Sequence, residues 1–297
     1  MPVEHLIFAG GGSRGIAYGA VLDELVSSGC LNYNDLKSVA GTSFGAFIAV
    51  LVAVKMPPSR ILELIHTSNV DTLINVDMSN LFYRCGLDDG KKLEAFVESL
   101  LQEQTGKSNL TLAALYDISS MDLYIPVTNL NTSKKVILTK DSFPNMTVAT
   151  AVKMSMSLPP FFAPVYYDGI YYVDGGLMNN FPCDHIKDPS RMLGMRVTWD
   201  NAFNLNSLEQ YFSRVIYVGL YNNEASQWKS LPDSFHSHVL KIPGGDVATI
   251  NFRLAQSTME TLLQRAREET RKYCLENEWT HKVEKEQQSR DFATQTD

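Results

Sequence analysis

Three short glycine-bearing turns carry the residue types that could do chemistry: Gly10-Gly11-Gly12-Ser13-Arg14-Gly15, Gly41-Thr42-Ser43-Phe44-Gly45 and Asp174-Gly175-Gly176. The second is a G-x-S-x-G between a short apolar run and a strongly apolar segment. That spacing has a steric cause. A serine on a tight strand-to-helix turn takes a strained backbone conformation, and glycines two before and two after let strand and helix approach without Cβ clashes. The turn lifts the Ser43 hydroxyl to a helix N-terminus, whose positive end favours an alkoxide. The chemistry this implies is nucleophilic attack by serine.

The first turn also satisfies G-x-G-x-x-G through Gly10, Gly12 and Gly15, the pattern of a dinucleotide pyrophosphate loop. Such a fold ends its second strand with an acid about 20 positions past the glycines, to hold the ribose. Here that strand ends in the serine turn, and the nearest acid, Asp35, precedes it. The alternative fits better: backbone N–H groups at residues 10–15 aimed at the oxyanion that forms when Ser43 attacks a carbonyl, with no side chain blocking the approach. A nucleotide-binding module remains the distant alternative.

Serine usually recruits histidine as its base. Six histidines are present, and none sits in a motif; His5 begins the first strand, away from the serine turn, and His185 is the one close behind another candidate. That candidate is Asp174, which ends Tyr171-Tyr172-Val173 and is followed by paired glycines, so that another group can come close to its carboxylate. Asp168-Gly169, flanked by alternating residues, reads as a hairpin turn instead.

The elements that must position these residues follow from periodicity. His5–Ala9 and Lys37–Ala40 read as buried parallel strands. Helices follow at Ile16–Ser28 and Phe44–Val54, the latter apolar all round and hence buried. Residues 59–110 are mostly helical, with Asp88 or Asp89 as the cap of a helix bearing Leu93, Phe96, Val97 and Leu100 on one face. Asp122–Leu130 with Lys134–Lys140, and Val165–Tyr167 with Ile170–Val173, read as strand pairs. Thr147–Ser157 is helical. Met192–Thr198 and His238–Ile242 are further strands, around a helix near Leu208–Asn222. A long helix at Asn251–Glu276 closes the pattern, its REETRK run forming a solvated face. Strands alternating with helices predict an α/β, three-layer sandwich with a mainly parallel central sheet. Residues 1–280 read as a single domain and 281–297 as a polar, flexible tail.

Composition bounds the function. The 297 residues carry a net charge of −7, which argues against nucleic acid as partner. The four cysteines lie far apart with no metal-ligand spacing, so no metal and no cofactor are expected. The N-terminal residues lack a basic start and their apolar run is too short for a signal peptide, so none is expected, and no run of about 18 apolar residues occurs in the 297 residues. The expectation is a cytoplasmic protein that meets membranes peripherally.

Taken together, the chain resembles the patatin-like phospholipase family over residues 5–200. The likeness rests on Gly10–Gly15, Gly41–Gly45 and Asp174–Gly176 in that order, with Ser157–Pro164 and Asn179–Pro182 in support. The resemblance implies a lipid acyl hydrolase, phospholipase A-type or a related esterase, working through a Ser43–Asp174 dyad without histidine. In that reading Ser43 is nucleophile and Asp174 proton acceptor. Gly10, Gly11, Gly12, Ser13, Arg14 and Gly15 form the oxyanion loop, Gly41, Thr42, Phe44 and Gly45 the elbow, and Gly175 and Gly176 the base turn. Free aspartate, with a pKa near 3.9, is a poor base, so the dyad requires a stabilised alkoxide and a partly buried carboxylate. Arg14 either steers a lipid phosphate or braces the loop. Leu158, Phe161 and Phe162 are either acyl-channel lining or core. A transacylase and a catalytically silent scaffold are the alternatives within the family. The implied partner is a lipid or phospholipid surface.

Overall fold

The computed structural model describes residues 2–67, 73, 77–198, 208–245, 247 and 254–277. The expected tail at 281–297 and the first residues of the expected last helix, 251–253, lie outside them. At its centre β1 (His5–Phe8) and β2 (Ser38–Gly41) pair in parallel, His5 opposite Ser38 and Phe8 opposite Gly41. On the far side of β1 follow β7 (Met192–Thr198) and β8 (Val239–Pro243), both parallel. On the far side of β2 comes β3 (Asp122–Asn129), parallel, with β4 (Lys134–Leu138) antiparallel along its distal half. β6 (Ile170–Asp174) pairs antiparallel with β3 and forms a hairpin with β5 (Val165–Tyr167). The sheet is therefore mixed: the mainly parallel core predicted from the sequence, with antiparallel strands added at one edge. The order is β5-β6-β3-β2-β1-β7-β8. Asp168 and Gly169 at the hairpin tip both have positive φ, as a tight hairpin turn demands.

The central strands are buried on both faces because helices cover both. α1 (Ala17–Ser27), α2 (Phe44–Ala53) and α10 (Gln256–Glu276) lie on one side, in the larger apolar cluster. On the other side Ile7, Ala9 and Ala40 pack against Phe181, Ile186 and Phe235, with Trp228 of α8 (Leu208–Ser230) beside them. Every residue of α2 except Phe44 is buried, as its all-round apolar sequence requires. The other helices are α3 (Pro58–Thr67), α4 (Met78–Arg84), α5 (Lys91–Thr105), α6 (Leu112–Ser119), α7 (Val148–Ser155) and the short α9 (Asp233–His236).

Three local expectations are corrected. The cap of α5 is Gly90, at φ 68°, not an aspartate. Asp88 instead accepts from the N–H of Gly90 (2.5 Å), and Asp89 from that of Lys91 (3.1 Å), the first residue of the helix. α8 runs on to Ser230, eight residues past the predicted end, because Glu224, Gln227 and Trp228 find partners below the sheet edge. The REETRK run is not simply solvated: Arg267 pairs with Asp23 (2.6 Å), Arg271 takes Glu24 bidentately (2.8 and 3.0 Å), and Thr270 between them is buried. These pairs lock α10 onto α1.

α2 lies close against β1. A Cβ on Gly45 would stand 2.6 and 2.7 Å from the carbonyl oxygens of Phe8 and Ala9. At an open helical site, Gly→Ala stabilises by about 0.5–1 kcal/mol. Gly219, in the middle of α8 with nothing within 4 Å of its added Cβ, is such a site. Urea denaturation should thus show opposite signs for one substitution: Gly219→Ala raises the midpoint, whereas Gly45→Ala lowers stability by about 1–3 kcal/mol. A neutral Gly45→Ala would contradict the packing described.

Candidate active site

Ser43 is the second residue of the two-residue joint, Thr42-Ser43, between β2 and α2, with φ 54° and ψ −126°. A non-glycine residue held there stores about 1–3 kcal/mol, so the surroundings must over-determine it. The Ser43 N–H donates to Ser155 Oγ (3.0 Å), and that hydroxyl donates to the Pro126 carbonyl (2.7 Å). The Thr42 hydroxyl donates to the Asn179 carbonyl (2.8 Å). The Ser43 carbonyl accepts the first helical bond, from Ala46 N–H (2.8 Å). An added Cβ on Gly41 would run into the Gly45 carbonyl, which is why both elbow positions are glycine.

Asp174 ends β6 and is 2% exposed. Its register opposite Val127 brings it to the edge of the sheet where β2 ends. Its N–H donates to the Ser157 carbonyl (3.0 Å), its carbonyl accepts from Thr128 Oγ1 (2.9 Å), and its Oδ1 accepts from the Gly176 N–H (2.7 Å). Gly175 lies flat on Pro126, where a Cβ would strike the carbonyl oxygen. Burial pushes the carboxyl pKa up to about 7, with the Ser43 hydroxyl and the Gly176 N–H partly opposing the rise. The Ser43 hydroxyl thus adjoins the carboxylate, while Oδ2 makes no hydrogen bond of full geometry to any group. The structure therefore brings Ser43 and Asp174 together and leaves one buried oxygen without a partner.

The glycine loop faces the same place. Gly10 donates its N–H to the Asn180 carbonyl (3.0 Å), and Asn180 Nδ2 donates back to the Gly10 carbonyl (3.2 Å) and to Glu224 Oε2 (2.8 Å). Glu224, itself buried, is held by Arg196. A side chain on Gly10 would collide with Asn180, and one on Gly15 with the Phe44 ring. The loop is thus gripped at Gly10 by Asn180 and at Gly15 by the residue that follows Ser43. Among the described residues, the N–H groups of Gly11 and Gly12 meet no protein acceptor. Arg14 is buried, with its Cδ and guanidinium packed where a Gly244 side chain would be; this is a bracing position. Phe161 and Phe162 are buried, and Leu158 is half-buried.

His185 is placed elsewhere. It stacks on Tyr124 (3.8 Å between centroids) and meets the Ser38 hydroxyl, which also meets His5. Ser38 and His5 are the first residues of their strands, at the end of the sheet opposite Ser43. Burial and the neighbouring His5 push the His185 pKa down to about 4, so the ring is neutral. His236 stacks on Trp228, and His66 is exposed at the end of α3. No described histidine hydrogen-bonds Ser43 or Asp174. Asp35 lies in the turn before β2, also at the far end, so it does not face the glycine loop as a ribose ligand would. Among the described residues, no group of three or more His, Cys, Asp or Glu could hold a metal ion, and no helix is long and apolar enough to cross a membrane.

Residues that sequence reasoning did not single out complete the site. Ser155 holds the elbow, and Asn180 with Glu224 and Arg196 holds the glycine loop. Only Asn180 carried any signal, as part of the Asn179–Pro182 likeness. A hydroxyl at a helix N-terminus, beside a buried carboxylate and unfilled N–H donors, is an arrangement able to form and stabilise an alkoxide and a tetrahedral oxyanion.

The family described as patatin-like phospholipase matches residues 6–186. An uncharacterized protein of Acanthamoeba polyphaga mimivirus is 26% identical over 274 residues, covering 88% of this chain and 90% of its own length. A protein of Invertebrate iridescent virus 6, named a probable lipid hydrolase, is 22% identical over 263 residues, covering 86% and 83%. The crystal structure of VipD from Legionella pneumophila shares the fold, with a TM-score of 0.70 at 16% identity over 92% of this chain and 67% of that one.

The raised Asp174 pKa has a stability consequence. The unfolded carboxyl titrates near 3.9 and the folded one at about 7. The folded state therefore binds more protons across that window, and stability falls as pH rises through it. Asp174→Asn removes the buried charge, so the variant should melt above wild type at pH 8, by a few kcal/mol in stability, with the gap closing toward pH 4. A gap independent of pH would show that the carboxyl is not desolvated as described.

Proposed function

The chain belongs to the patatin-like phospholipase family, and from that membership we propose that it is a lipid acyl hydrolase using Ser43 and Asp174 as a catalytic dyad. The observation that carries this reading is the unpartnered Oδ2 of Asp174, buried beside the Ser43 hydroxyl. A buried acceptor left without a hydrogen bond is destabilising, and a carboxylate kept to receive a proton accounts for it.

In the proposed reaction Ser43 Oγ attacks the ester carbonyl as its proton passes to Asp174. The carbonyl oxygen becomes an oxyanion in front of the N–H groups of Gly11 and Gly12. Collapse breaks the ester C–O bond, and Asp174-H returns its proton to the departing alcohol. Water then attacks the acyl-serine, with Asp174 taking its proton and Ser43 leaving as alcohol. A pKa of about 7 suits both directions of transfer near neutral pH, where an ordinary aspartate would be too weak a base. The helix N-terminus at Ser43 and the glycine N–H donors lower the energy of both anions. Glycerophospholipids or related lipid esters are the proposed substrates. The family and the iridescent-virus relative support lipid hydrolysis in general; the dyad rests on the geometry above.

Purified protein should release free fatty acid from phospholipid vesicles. Ser43→Ala and Asp174→Asn should each reduce the rate by about a thousandfold or more while remaining folded, and a fluorophosphonate should label Ser43. A wild-type rate for Asp174→Asn would remove the dyad. For wild type, kcat/KM should climb with pH and level off above about 7, as Asp174 loses its proton. A profile already flat from pH 5 would exclude Asp174 as the base.

A further inference from the structure

The last described helix packs along the first, and the ion pairs between them fix their register. Arg267 of α10 meets Asp23 of α1 (2.6 Å). Arg271, one turn further on, takes Glu24 bidentately (2.8 and 3.0 Å). The two helices therefore advance in the same direction along their contact. A step of two helical turns, about seven residues, leads from Arg267 to Cys274 on α10. The same step from Asp23 leads to Cys30, just past the end of α1, where Gly29 at φ 72° turns the chain. The register thus brings together two cysteines from opposite ends of the described chain. Their side chains are hydrogen-bonded to one another, and both are free thiols.

The two thiols have different surroundings. Cys274 is 2% exposed, inside the larger apolar cluster. Cys30 is half-buried at the margin of that cluster, within reach of solvent. The Cys274 thiol donates to Cys30 Sγ. That bond holds the Cys30 pKa below the ordinary thiol range, against burial and the Glu24 carboxylate, and pushes that of Cys274 up. A free cysteine in a core usually serves as a small apolar side chain. Cys183 fits that role: it is buried, and burial pushes its pKa up to about 12. Cys30 does not, because it is accessible, more readily ionised and in contact with a second thiol. A reachable thiolate with a resolving thiol beside it is the arrangement that oxidants convert to a disulfide.

We propose that Cys30 and Cys274 form an oxidation site, at which a hydroperoxide closes a reversible disulfide that staples α10 to the end of α1. The Cys30 thiolate attacks one oxygen of hydrogen peroxide, the O–O bond breaks, and the departing hydroxide takes up a proton to become water. Cys30 is then a sulfenic acid, oxidised by two electrons. The Cys274 sulfur attacks the Cys30 sulfur and gives up its proton, and the sulfenic hydroxyl leaves with a proton as a second water. Two thiols and one peroxide become one disulfide and two waters, and a dithiol reductant reverses the change. The bridge closes a ring over most of the chain, so it restricts the unfolded state. Neither thiol belongs to the machinery proposed for hydrolysis, so the site stands or falls without that reading.

The test treats purified protein with a small excess of hydrogen peroxide, caps the remaining thiols with iodoacetamide and reads the digest by mass spectrometry. A peptide joining Cys30 to Cys274 should form in wild type and vanish with dithiothreitol. The oxidised protein should melt about 5 °C or more above the reduced one. In Cys274→Ser the resolving thiol is gone, so Cys30 should persist as a sulfenic acid that dimedone labels. Cys30→Ser should leave Cys274 unlabelled; altered at the half-buried position, it also guards against a folding defect in the first variant. Oxidised wild type without the joined peptide would overturn the proposal. So would Cys30 carried on to sulfinic acid while Cys274 stays a thiol, or Cys30 joined instead to Cys85 of a second copy. A linked protein that melts no higher than the reduced one would remove the staple.

Discussion

The joint at Ser43 is the constraint on which the rest of the site depends. Two residues, Thr42 and Ser43, must join a buried strand to a buried helix, and Ser43 does so at a positive φ that costs energy. The cost is met by neighbours far away in the chain. Ser155 and Pro126 hold its N–H, Asn179 holds Thr42, and the missing side chains of Gly41 and Gly45 give the helix room against β1 and β2. Because α2 is buried almost throughout, the elbow cannot relax by moving the helix. Strain at the joint and close packing beneath it are the same fact seen from two sides.

The antiparallel edge of the sheet has a specific role in this. A wholly parallel sheet would bring each strand's carboxyl end to the active-site edge only through a crossover. β6 arrives there by a hairpin instead, with its last residue, Asp174, opposite Val127. Pro126 then serves both partners: its carbonyl accepts from Ser155, which holds Ser43, and its backbone supports Gly175. The relative position of hydroxyl and carboxylate is thus set by one strand, β3. The surroundings desolvate the carboxylate and leave one of its oxygens without a hydrogen bond, which weakens the fold and raises the carboxyl pKa.

α8 connects the site to the outside. Its anchored half grips the glycine loop through Glu224 and Asn180 and covers the base turn through Leu220. Its first half carries the exposed side chains of Tyr211, Phe212, Val215 and Val218.

Much was legible in the sequence. The elbow, the hairpin at Asp168-Gly169, the buried strands and the apolar helix after Ser43 depend on contacts between near neighbours and on periodicity, and residue types report these directly. The α5 cap was misread because two aspartates competed with a glycine able to take positive φ. The end of α8 was missed because its last turns are polar and owe their order to Asn179, Asn180 and Phe181. His185 could be weighed only by motif, and its place at the opposite sheet edge follows from strand direction. Above all, the sequence by itself determined which three turns could carry chemistry. Only the tertiary structure decided that they meet, that Asp174 is buried and its pKa raised, and that its second oxygen lacks a hydrogen bond. Turn geometry is a local steric property, whereas desolvation and pairing are sums over atoms from segments more than a hundred residues apart.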